Sequence, residues 1–235
     1  MSVLRLLPFA LCLAVCLSGC GSSSATRRPP GKPPTPKTIT IAEPGGDAHD
    51  PHEAALLRQL SEPWGARNDK DDQVHVPTPD WEHWKRVKYW GFEHFSGWRY
   101  GNDHHVIALL FIQDVAPGER NDSDSCLKRF EVWVRPQIKS YDVALGPIGM
   151  RQSKWRDHPI VIRFVDGHVD TGFRRRQFSA AWSAYPAYPS ACMIYAMGVP
   201  WDGHEALAKK VRDRWVKEAF PKMEPLTPER PYRLP

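Results

Sequence analysis

Long apolar runs are scarce in this chain. No stretch approaches the ~20 consecutive apolar residues that a membrane-spanning helix needs, which excludes a helical multi-span protein. The sequence has no G-x-S-x-G elbow, Walker A loop, dinucleotide fingerprint, H-E-x-x-H pair or C-x-x-C motif. The commonest written signs of a hydrolase, a nucleotide enzyme or a metal site are therefore missing. No internal repeat marks a solenoid or propeller. Neither sign of charge dominates. Lys and Arg number 32 against 27 Asp and Glu, for a net charge of +5, too mild to argue for nucleic acid as a partner. What remains is 235 residues, 41% hydrophobic and 25% charged, enough for one ordinary domain with tails. Proline (23) and tryptophan (10) are plentiful, and each has to be placed.

The N-terminus reads as an address. Arg5 supplies a positive start, and Leu6 to Leu17 is a short, mostly apolar run. It ends in Leu17-Ser18-Gly19-Cys20, which resembles the lipobox of bacterial lipoproteins. That resemblance covers only the first 20 residues. It implies a signal peptide over residues 1–19 and a lipidated Cys20, with diacylglycerol on the thiol and a third acyl chain on the amine. A thiolate is the strongest common side-chain nucleophile for making that thioether. Two or more acyl chains hold a protein stably in a bilayer, at roughly 0.8 kcal/mol per buried CH₂. Gly21, where an aspartate would retain the protein at the inner membrane, resembles the outer-membrane class. The expected place is the cell envelope, with membrane lipid as a partner through acylated Cys20.

Residues 20–49 then form a tether. Pro29, Pro30, Pro33, Pro34 and Pro36 favour an extended polyproline II spacer, and too little apolar surface is present to fold. With Cys12 and Cys16 in the signal and Cys20 acylated, Cys126 and Cys192 remain. An exported compartment is oxidising, so they are expected to pair. Closing the loop between them stabilises by roughly 4 kcal/mol in the chain-entropy account.

The fold expected for residues 50–220 is a single α+β domain: an antiparallel β-sheet of about five to seven strands packed by a C-terminal α-helix, with a short N-terminal helix and disordered Pro-rich ends. Asp50-Pro51-His52-Glu53 predicts a helix start, and Pro63 its end. Residues 64–80, with Pro77 and Pro79, read as loop. Strands are predicted at Arg86–Phe92, at the apolar run Val106–Ile112, at the alternating Phe130–Val134, at Tyr141–Leu145, at Ile160–Val165 and at Met193–Val199. Asp166-Gly167 reads as a hairpin turn into a further strand at His168–Phe173. Phe178–Tyr195, with its aromatics and prolines, reads as an exposed or groove-lining loop. Asp202-Gly203-His204-Glu205 opens a helix to about Phe220, and 221–235 is a Pro-rich tail.

Three clusters bear on chemistry. Glu93, His94, Asp103, His104 and His105 could act as ligands or as acid and base. At a strand start, however, His104 and His105 point to opposite faces and cannot chelate one ion. Asp103-His104-His105 also matches the name-giving triplet of a phosphoesterase family, but there the triplet follows an apolar strand and here it precedes one. His168 and Asp170 share a face yet are too few for a metal, and Arg174-Arg175-Arg176 reads as a solvated strand end. The aromatics Trp81, Trp84, Trp98, Trp182, Tyr185 and Tyr188 are either a core of large rings or a surface for sugar or partner binding. The reading that best fits is a lipid-anchored envelope protein with a binding or structural role and no catalysis. It names no metal and no cofactor. A peptidoglycan- or carbohydrate-binding module, binding to another envelope protein, and a His/Asp/Glu hydrolase centred on residues 93–105 are the alternatives.

Overall fold

The computed structural model describes residues 50–68, 74–87, 95–101, 104–140, 142–155, 158–170, 175–187 and 191–225. Cys20, Glu93, His94, Asp103 and Tyr188 lie outside them, as do the signal and the tether. Helix α1 spans Pro51–Ser61, capped by Asp50, whose carboxylate accepts from the His52 backbone N–H at 2.9 Å. Leu56, Ala55 and Gln59 form its buried side. Strands β1 (Trp64–Asn68) and β2 (Val74–Pro79) follow. The loop expected over 64–80 is thus a hairpin, completed by β11 (Glu224–Pro225) into a three-stranded sheet. Prolines argue against a ladder because they lack the N–H, but their carbonyls still accept. Pro77 takes the Tyr195 hydroxyl at 2.9 Å and Pro79 the Trp84 indole N–H at 2.7 Å, so this small sheet is fastened by side chains of the large one.

The large sheet is built from β3 (Trp84–Val87), β4 (Phe95–Tyr100), β5 (Val106–Asp114), β6 (Val143–Leu145), β7 (Gly149–Trp155), β8 (His158–Asp170), β9 (Arg175–Ala187) and β10 (Ala191–Pro200). Its order is β3-β4-β5-β10-β9-β8-β6, with β7 also on β8, and every pairing is antiparallel. The α+β antiparallel class is as expected, but its eight strands exceed the five to seven anticipated.

Both faces of the sheet are covered. Helix α3 (Glu205–Glu218), the expected C-terminal helix, packs with α1 on one face. Helix α2 (Ser123–Ser140) packs on the other. Strand alternation sorts the core between them. Val106, Ala108, Leu110 and Ile112 of β5 join the α1/α3 layer, where Trp215 sits fully buried. Ile107 and Leu109 join α2. In β10, Met193, Tyr195 and Met197 go one way and Cys192, Ile194 and Ala196 the other.

Three sequence readings are corrected here. Phe130–Val134 is helix, not strand. Asp122 caps α2 by accepting the Ser125 N–H at 2.9 Å, which holds its carboxyl below the usual range. Cys126, Leu127, Phe130 and Val134 then recur on one buried side, while Val132 is 66% exposed. The five-residue alternation was a fragment of this longer period. Next, β8 runs straight through Asp166-Gly167. Asp166 accepts from Ser179 at 2.7 Å and from Arg212 of α3 at 2.5 Å, and a Cβ on Gly167 would come within 2.7 Å of the Ala144 carbonyl. The pair serves an ion pair and a close approach rather than a turn. Finally, most of Phe178–Tyr195 is not loop but the two central strands β9 and β10, and Tyr185 is fully buried between Trp155 and the Phe220 carbonyl.

The disulfide is present between Cys126 and Cys192, with Cα atoms 5.8 Å apart, joining the start of α2 to the start of β10. Among the described residues no helix is long and apolar enough to cross a membrane.

If α2 is helical, Phe130 and Val132 have opposite surroundings. Phe130→Ala is expected to cost about 3–5 kcal/mol and Val132→Ala no more than about 0.5 kcal/mol, read by urea unfolding. Comparable losses at both positions would restore the strand.

Candidate functional site: a histidine cluster and an apolar groove

Of the acid–base candidates, His104 and His105 are described. His104 adopts φ +57°, a left-handed conformation at the turn before β5. His105 meets two partners that the sequence did not single out as functional, His52 of α1 and, beyond it, His204 at the start of α3. The Nδ1 atoms of His52 and His105 lie 2.9 Å apart, and the His52 and His204 rings are 5.9 Å apart between centroids. His52 Nε2 lies 2.9 Å from the Pro200 carbonyl oxygen. A carbonyl only accepts, so Nε2 carries the proton. A neutral His52 then accepts at Nδ1 from His105. Burial drives the same way, holding the His52 ring below its ordinary value. His204 Nε2 contacts Asp50 Oδ2 at 2.7 Å, and Arg176 pairs with Asp202 at 2.6 Å. The His204 hydrogen bond, then the His52 backbone N–H, lower the Asp50 carboxyl.

These contacts fasten the N-termini of α1 and α3 to the end of β10. Among the described residues no group of three His, Cys, Asp or Glu side chains could hold a metal ion. His168 and Asp170 contact each other at 3.6 Å, and Asp170 is bound by Arg175 at 3.0 Å, which consumes that pair in an exposed ion cluster.

The aromatic candidates divide. Trp84, Trp98 and Tyr185 are buried, which corrects their reading as a surface for ligands. Trp84 packs on Trp215 with ring centroids 5.6 Å apart. Trp81 is 47% exposed on the short turn before β3. Trp182 is half-buried and faces α2, where it lines a groove.

That groove has a volume of about 290 Å³. Phe130 and Val134 of α2 form one wall, and Leu145 of β6 and Ile148 beyond it form the other. Its floor includes Ala180 and Ala196, side chains too short to fill the space beneath the helix. Two charged residues line it, Glu131 and Arg135, one helical turn apart. Glu131 lies 3.3 Å from Arg163 of β8. Arg135 is exposed and makes no ion pair among the described residues. The Trp182 indole N–H is buried without an acceptor among them. Sequence reasoning missed the groove because one wall is α2, which it read as a strand. The signal that could have found it was the 3.6-residue period of Cys126, Phe130 and Val134.

No protein-family model matches the chain. No curated protein matches it. Among solved structures it is similar to the solution structure of cyanobacterial PsbP (CyanoP) from Synechocystis, with a TM-score of 0.40 and 13% identity, covering 64% of this chain and 89% of that one.

The histidine cluster predicts a pH dependence. Unfolded, His52 titrates at its ordinary 6.5; folded, its value is lower. Its contribution to stability is therefore complete above that value and is lost as pH falls toward the folded one. The melting temperature should drop between pH 7.5 and 5, and His52→Gln should flatten that drop. Identical pH profiles for the two proteins would count against the buried neutral ring. Asp50, whose value is also lowered, acts in the same direction but at more acid pH.

Proposed function

We propose that this chain is a lipid-anchored protein of the cell envelope that binds a ligand and does not transform it. The observation that carries the binding half is the groove beneath α2. An apolar cleft of about 290 Å³ with a few polar groups at its margin has the make-up of a small-ligand site, near the lower end of the usual size. No nucleophile paired with a base lines it. The anchoring half rests on Leu17-Ser18-Gly19-Cys20. The Cys126–Cys192 disulfide supports export, because such bonds persist in oxidising compartments. In this reading Cys20 carries the acyl chains and residues 21–49 hold the domain away from the bilayer.

The alternatives have less beneath them. A carbohydrate platform needs a row of open rings, and three of its six candidates are core. In the hydrolase reading, His105 is engaged by His52, and the ring it meets is itself committed to a backbone carbonyl.

Labelled palmitate and membrane fractionation test the anchor. The wild-type chain should incorporate label and sediment with membranes. Cys20→Ser should do neither. Equal sedimentation of the two, with no label in either, would remove the lipid anchor from the proposal.

A further inference from the structure

We infer that the groove takes the tail of a single-chain carboxylate amphiphile, a medium-chain fatty acid, with its head group on Arg135. The inference rests on reading the groove as a binding site and names its ligand.

The size of the groove limits the tail. A methylene fills about the space of a water molecule in the liquid, roughly 30 Å³. A groove of about 290 Å³ therefore holds a tail of about ten carbons. The second chain of a diacyl lipid has no room, and neither does a peptide helix about 10 Å across. The lining sets the tail's chemistry. Phe130, Val134, Leu145 and Ile148 offer only carbon, and the alanine floor leaves a smooth bed with no hydrogen-bonding side chain.

The polar margin sets the head group. Glu131 and Arg163 neutralise each other at 3.3 Å. That leaves Arg135 as a cation on the rim with no ion pair among the described residues, while the Trp182 indole N–H is buried in the lining without an acceptor among them. Arg135 offers donors only. An ionised carboxylate is acceptor-only, and a guanidinium grips it with two parallel N–H bonds. Ile148, 49% exposed, extends the apolar wall outward, so a tail can enter from solvent without crossing a polar barrier.

The full chain, made as Cys20→Ser so that no attached acyl group competes, is titrated with 1-anilinonaphthalene-8-sulfonate and then with decanoate, below its micellar range at pH 8 and low salt. The dye should bind and decanoate should displace it. Affinity should rise about fourfold per added methylene up to about ten carbons and then level off. Decan-1-ol should bind about tenfold more weakly than decanoate. Arg135→Gln, on an exposed helix position, should remove that difference and leave decan-1-ol unchanged. Ala180→Leu, which fills the floor, should abolish binding of all three while retaining a cooperative thermal transition.

If the dye binds and is lost in Ala180→Leu, yet decanoate does not displace it, the fatty-acid inference falls while the binding site stands. If neither binds, both fall. An unchanged decanoate affinity in Arg135→Gln would overturn the assignment of the head group and, with it, the carboxylate.

Discussion

Burial on both faces of β5, β9 and β10 is the constraint from which the rest follows. Strand geometry sends successive side chains to opposite sides, so a sheet apolar on both faces requires a helical layer on each. The α1/α3 layer meets its face with large rings: Trp215 stands among Trp64, Trp84 and Tyr195 with centroids 5.5, 5.6 and 5.9 Å away. The α2 layer meets a face on which small alanines stand among Val165, Phe178 and Trp182. At the helix start, Cys126 and Leu127 are fully buried against Cys192 and Ile194. Farther on, Ala180 and Ala196 leave the groove.

The disulfide and the groove are two ends of one arrangement. Cys126–Cys192 ties the first turn of α2 to the sheet. Ser123 adds a second tie there, donating to the Ala184 carbonyl at 2.7 Å. Beyond that turn Phe130 and Val134 face the sheet, with the Glu131–Arg163 pair beside them. A helix held firmly at one end over a floor of small side chains is a way to keep a cavity open that the hydrophobic effect would otherwise close. On the opposite face the polar contacts work toward closure. Asp166 receives Arg212 and Lys209 of α3, and His52, Asp50 and His204 join the ends of the two helices.

Local reading succeeded where one element decides its own fate. The helix from Pro51 is announced by its cap, the strand from Val106 by an unbroken apolar run, and the helix from Glu205 by its stripe. It failed where partners decide. Pro77 and Pro79 read as breakers because what they offer, their carbonyls, is used by rings far away in the chain. Asp166-Gly167 has the composition of a turn, but Ala144 and Phe178 press against Gly167, and Arg212 lies on Asp166. The tryptophans could be counted from the sequence and not sorted, since Trp84 and Trp81 differ only in what is folded over them.

Composition and pattern alone pointed to the α+β antiparallel class, and the cysteine count in an exported chain to the pairing of Cys126 with Cys192. Only the tertiary structure decided that His52, His105 and His204 meet, and that α2 and two alanines border a cavity. The reason is physical. A cavity is what side chains from separate elements fail to fill, and a contact between rings depends on where distant segments pack. Neither leaves a period or a motif in the chain.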